Sequence, residues 1–242
     1  MANPILNQNN FNSQERVYEG GMMTVNGTIQ ITAFIGIILV VAAAVVWGKY
    51  MAGYTDFATM LTGGGAIIGF ILALIISFTR NKYLVPVYAA CEGCVLGGIS
   101  AVMETEFPGI VTQAVAGTFA ALFAMLILYR YRIIQATDKF RSVIFITTLS
   151  IAVIYLVDLV SRLIFHLHVP LINSSSPAGI LVSVVIVAIA ALNLILDFDF
   201  IEKGEQMMLP KDYEWYGAFG LMVTLVWLYL EILRLLSKIN RK

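Results

Sequence analysis

Two histidines and two cysteines among 242 residues leave little from which to build a metal centre or a nucleophilic site. His166 and His168 fall in one connecting stretch without acidic neighbours, and neither a His-Glu-x-x-His helix nor a Ser-His-Asp set can be assembled. Cys91 and Cys94 form a C-x-x-C inside an apolar run; a metal site there would need further soft ligands, so the pair reads as small packing residues. An enzyme is not expected and no cofactor is implied. Charge is scarce as well. Lys and Arg total 15, Asp and Glu 15, for a net charge of zero, whereas a nucleic-acid partner requires a concentrated basic surface. Charged residues make up 12% of the chain and hydrophobic residues 60%, against about 25% and 45–50% in soluble domains. The expected partner is a lipid bilayer.

What the chain has in quantity is long apolar runs. About 20 such residues cross a hydrocarbon core of roughly 30 Å, and seven stretches qualify, at 29–48, 57–79, 84–103, 109–129, 142–165, 178–200 and 218–237. The connections between them are too short for a second folded unit. The expected architecture is therefore all-α: a polar N-terminal tail over 1–28, then one seven-helix transmembrane bundle over 29–242. The tail lacks a basic start followed by an apolar stretch, so the first span would act as its own insertion signal. Nine of the fifteen Lys and Arg residues fall on the N-terminal side of the spans and six on the other, which places the N-terminus in the cytoplasm. Gly63, Gly64, Gly65, Gly69, Gly93, Gly97, Gly98 and Gly117 lie within spans, where small residues let helices approach closely.

Charges inside these spans are the informative exceptions, because even a lenient scale sets about 2.5–3.5 kcal/mol against a charge at the bilayer centre. Asp158 and Arg162, four apart, can neutralise one another along one helix face. Glu92 has no opposite charge at i±3 or i±4 and must find Arg80, a polar group of another helix, water or a proton. Asp197 and Asp199 are about 200° apart around a helix, so only one can face the bundle interior. Asp199 and Glu202 share a face and mark the wet edge, leaving Asp197 as the inward group. Glu231 either pairs with Arg234, three residues on, or forms a second station beyond Asp197.

The run Ala191-Leu-Asn-Leu-Ile-Leu-Asp197, the closing Ala218-Phe-Gly-Leu and Leu228-Tyr-Leu-Glu-Ile-Leu-Arg234, and the seven-span layout resemble the Bax inhibitor-1 family. The opening Met1-Ala-Asn-Pro, the stretch Met23-Thr-Val-Asn-Gly-Thr28 and the phrase Asp197-Phe-Asp-Phe-Ile-Glu202 are similar to its bacterial branch. The resemblance implies a central helix surrounded by the others and a pH-sensitive calcium leak. It also implies an aspartate late in the sixth span that shares a proton with one in the seventh, and an arginine ending the second span that latches to them. Asp197 matches the first aspartate and Arg80 the latch to within one residue.

Two registers compete for the second aspartate, one placing Glu231 there and the other Thr224. With helix six ending near Glu202 and helix seven starting near Tyr213, the depth mismatch with Asp197 is about 9 Å for Thr224 and about 20 Å for Glu231. The arithmetic favours Thr224, so the di-carboxylate pair of the relatives would be incomplete here.

The expected function is a proton-modulated leak for calcium or another cation in a bacterial inner membrane. Asp197, Arg80 and Thr224 form its sensor and gate, and Glu231, Asp199 and Glu92 line the ion path, with oxygen ligands suited to hard cations. Protonation of Asp197 would release Arg80 and change which helices touch. The alternative is a non-transporting regulator that docks to another membrane protein, such as a membrane-anchored protease, through the polar tail or the basic loop 130–141.

Overall fold

Seven long helices follow one another along the chain: α1 (Val25–Met51), α2 (Thr55–Thr79), α3 (Val85–Glu106), α4 (Ile110–Arg130), α5 (Asp138–Phe165), α6 (Pro177–Gln206) and α7 (Tyr213–Asn240). The computed structural model describes residues 21–165 and 174–241; the opening motif at Met1, Arg16, His166, His168 and Lys242 lie outside the described residues. Each helix matches one of the expected apolar stretches, and all seven are long and apolar enough to cross a membrane. The chain is an integral membrane protein. Among the described residues there is no sheet, only an isolated antiparallel bridge between Met22 and Pro210.

The helices overrun the apolar stretches at their polar ends. Thr24 caps α1 by accepting from the Gly27 N–H at 2.9 Å, which starts the helix at Val25, four residues before the apolar run. At the other extreme α6 continues through Ile201-Glu-Lys-Gly-Glu-Gln206. Hydropathy ends where lipid ends, whereas a helix ends only where its backbone bonds are capped.

α7 is the central helix, packed against α1, α3, α4 and α6. α3 lies between α1 and α2, and glycines set the spacing. A Cβ on Gly97 would run into the Ala43 backbone of α1, and one on Gly98 would strike the Thr62 side chain of α2. This is how helices gain dispersion contacts when lipid offers no hydrophobic drive. α5 packs chiefly on α6 and is held by polar side chains. Thr148 accepts from Asn193 Nδ2 at 2.9 Å, and Asp158 and Arg162 pair at 2.7 Å along α5 itself.

The face of the bundle that carries the start of α1 is here the near face, and the opposite one the far face. On the near face the α6–α7 hairpin locks α1. The Met23 N–H donates to the Leu209 carbonyl at 2.7 Å, the Val25 N–H to Glu205 at 3.1 Å, and Thr24 gives both its N–H (3.0 Å) and its hydroxyl (2.9 Å) to Glu214. Glu214 is only 2% exposed, and Gly27 is the residue that makes room for it, since a Cβ there would overlap its carboxylate. The carboxylate cannot swing aside without giving up both bonds to Thr24. Gly27→Ala is therefore expected to destabilise the protein by about 1–3 kcal/mol, the usual cost of overpacking, seen as a lower thermal unfolding midpoint in detergent. An unchanged midpoint would show that Glu214 does not hold α1.

Candidate functional site

Asp197 lies on α6 nine residues before its end at Gln206, and Thr224 lies on α7 eleven residues after its start at Tyr213. The longer α6 shrinks the depth mismatch between them to about 3 Å and leaves Glu231 about 13 Å out of step. Thr224 is the side chain that faces the Asp197 carboxylate from the central helix, and its hydroxyl donates to the Gly220 carbonyl at 3.2 Å. Gly220 brings the α7 backbone close, with its missing Cβ 3.6 Å from Asp197 Oδ1.

The second carboxylate oxygen, Asp197 Oδ2, is closed to solvent and has no hydrogen-bond partner among the described residues. An unsatisfied buried polar atom costs about 1–3 kcal/mol, and a full unpaired charge considerably more. The seam is closed on both sides of this group. One turn towards the near face, Ile201 packs against Gly217, and one turn towards the far face Leu194 and Leu228 are wholly buried.

Arg80 does not meet Asp197. It ends α2 in the left-handed region at φ 53°, where its N–H still bonds the Ile76 carbonyl at 2.8 Å. Its guanidinium donates to the Tyr213 hydroxyl at 2.6 Å and lies over the rings of Tyr213 and Tyr216. The reason is depth: Arg80 sits at the near face, and Asp197 is about 13 Å down α6 from that end.

Asp199 departs from the expected wet edge. It is buried, paired with Arg141 of α5 and, at 3.1 Å, with Lys203 one turn on. Glu202 on the same helix face accepts from Tyr129 of α4. Both carboxylates tie neighbouring helices to α6, which sequence spacing could not reveal because Arg141 and Tyr129 are distant in the chain. Glu92 is half-buried, beside Tyr88 on its own helix and across from Gly69 of α2, where a Cβ would come within 3.2 Å of its Oε1.

Glu231 is 1% exposed and fully engaged. It takes Arg234 Nη1 at 3.1 Å, the Tyr155 hydroxyl at 2.8 Å and Trp227 Nε1 at 3.3 Å, with Arg234 also over the Tyr155 ring. Removing one partner of a fully buried ion pair costs about 3–5 kcal/mol. The Arg234 side chain is 39% exposed, so screening reduces this. Arg234→Met is expected to lower stability by about 2 kcal/mol because it strands a buried carboxylate. Adding Glu231→Gln should restore part of the loss in thermal unfolding; strictly additive losses would show that the two side chains are not coupled.

Among the described residues no three His, Cys, Asp or Glu side chains gather as a metal site. The arrangement sets against a central membrane helix a carboxylate whose Oδ2 is closed to solvent, and it defines a polytopic membrane bundle with an ionisable group at its α6–α7 seam. The family model described as Bax inhibitor 1 like matches residues 3–241. The chain belongs to that family. No curated protein matches it.

Proposed function

We propose that this protein is a leak pathway for calcium or a similar hard cation, opened and closed by protonation of Asp197. The observation that carries the reading is the buried Oδ2 at the α6–α7 seam, without a hydrogen-bond partner among the described residues. A closed apolar seam tolerates a carboxylate when it is protonated or when a cation stands beside it, so the ionised form recruits a permeating ion. Thr224 and the Gly220 carbonyl add neutral oxygens of the kind hard cations accept. Arg80, parked on Tyr213 and Tyr216, acts as the near-face gate about 13 Å above Asp197, admitting a cation to the seam when it leaves the tyrosines. Asp199 and Glu92 flank the path, Asp199 by anchoring α5 through Arg141 and Glu92 at the α2–α3 interface.

We further propose that the protein resides in a bacterial inner membrane with its near face cytoplasmic, as the excess of Lys and Arg on that side favours. The experiment is efflux from calcium-loaded vesicles containing the purified chain, followed from acidic to neutral pH. Protein-dependent efflux that varies with pH is expected. Folded protein without cation efflux at any pH would remove this reading in favour of a docking regulator.

A further inference from the structure

Lys238 stands two residues from the end of α7, where a lysine stem is long enough to carry its charge out to water. It does not do so. It is 5% exposed, and its ammonium turns inward to donate to the Ser183 hydroxyl at 2.6 Å and the Gly179 carbonyl at 3.2 Å, both on α6. Neither acceptor is charged, and no ion pair among the described residues includes Lys238. The charges that act on it are Arg234, one turn back, and Glu231. Glu231 is already engaged by Arg234, Tyr155 and Trp227.

Its position extends the candidate site. Thr224, Glu231 and Lys238 are spaced by seven and share one face of α7. On α6 the buried residues Gly179, Ser183, Ile186, Ala190 and Leu194 follow one another by three or four, leading up to Asp197. The seam that holds Asp197 in its near half thus ends at the far face in an ammonium group resting on a carbonyl and a hydroxyl. Those two oxygens are the kind of ligand a hard cation takes.

We propose that Lys238 is a tethered cation that plugs the far-face mouth of the α6–α7 seam. Its ammonium occupies the Gly179 carbonyl and Ser183 hydroxyl, where a permeating cation would otherwise bind. The chain blocks its own exit until Lys238 withdraws. This inference rests on the cation-path reading above, and its test separates the two.

The full chain is placed in vesicles with Cys91 and Cys94 replaced by Ala and with Ile186→Cys as a reporter one turn inside the plug. Lys238→Met is expected to raise labelling of that cysteine from the far face by a small cationic methanethiosulfonate. The rise should be at least about tenfold, as loss of one like charge at close range implies. On the native cysteine background, the same substitution should raise calcium or sodium efflux comparably. Lys238→Arg, which keeps the charge, should label and leak as the parent does. The fold should survive the Met change because the Ser183 hydroxyl can turn back onto the Gly179 carbonyl four residues before it. If a thermal scan shows otherwise, Lys238→Gln takes its place, retaining a neutral donor. Labelling that is the same with Lys, Met and Gln overturns the plug whatever the efflux. Labelling that rises while no variant passes a cation at any pH supports the plug as a seal and overturns the cation-path reading alone.

Discussion

Asp197→Asn is expected to flatten the pH dependence of cation efflux, so that the ratio of rates between acidic and neutral conditions falls to about one. Asn matches Asp in size and keeps an oxygen for Thr224, but it can neither gain nor lose a proton across that range. The substitution also removes a charge from a site where Oδ2 has no partner among the described residues. The variant should therefore unfold at no lower temperature than the parent, which separates loss of sensing from loss of fold. Asp199→Asn should behave in the opposite way. It strands Arg141 and Lys203, so it is expected to lower stability and loosen α5 while leaving a pH response in the folded fraction. If Asp197→Asn keeps the full pH response, the sensing group is elsewhere, with the half-buried Glu92 the next carboxylate to substitute.

Thr224→Asp is expected to change the form of the pH response. Thr224 is the α7 side chain that meets Asp197, so an aspartate there places two carboxyl groups within reach of one another. Two such groups share one proton and titrate as a pair in two macroscopic steps. Efflux against pH should pass from a single-proton profile to a two-step one, and adding Asp197→Asn should collapse it again. Glu231→Gln should act independently of both, because about 10 Å of helix separates it from Thr224 and its bonds go to Tyr155, Trp227 and Arg234. A response that Glu231→Gln abolishes and Thr224→Asp leaves unmoved would assign the second sensor position to Glu231.

The interactions that could be read in advance are those within one helix. Arg234 with Glu231 and Arg162 with Asp158 are at spacings of three and four, and helix geometry alone brings such pairs together. That Thr224 lies near Asp197 was legible for the same reason, since depth along two helices joined by a short hairpin is a matter of rise per residue. Glu214 carried only a weak signal, a carboxylate in the first turn of a helix, where the helix dipole favours it. That it also serves α1, 190 positions away, depends on packing. Lys238 stands close to Arg241 and Lys242 in the sequence, and nothing local distinguishes a lysine that snorkels outward from one that turns in.

Span number and class were determined by the sequence itself, because crossing a bilayer demands a local property, roughly 20 apolar residues in succession, and seven such runs are written into the chain. Which helix became central, and which carboxylates are satisfied, was decided only by the tertiary structure. Asp197 and Asp199 are two residues apart with the same chemistry. One lies against Thr224 with an oxygen that has no partner among the described residues, and the other meets Arg141 and Lys203. A buried charge takes its energy from whatever lies within a few ångströms in space. In a seven-helix bundle those neighbours come from segments that sequence distance does not rank.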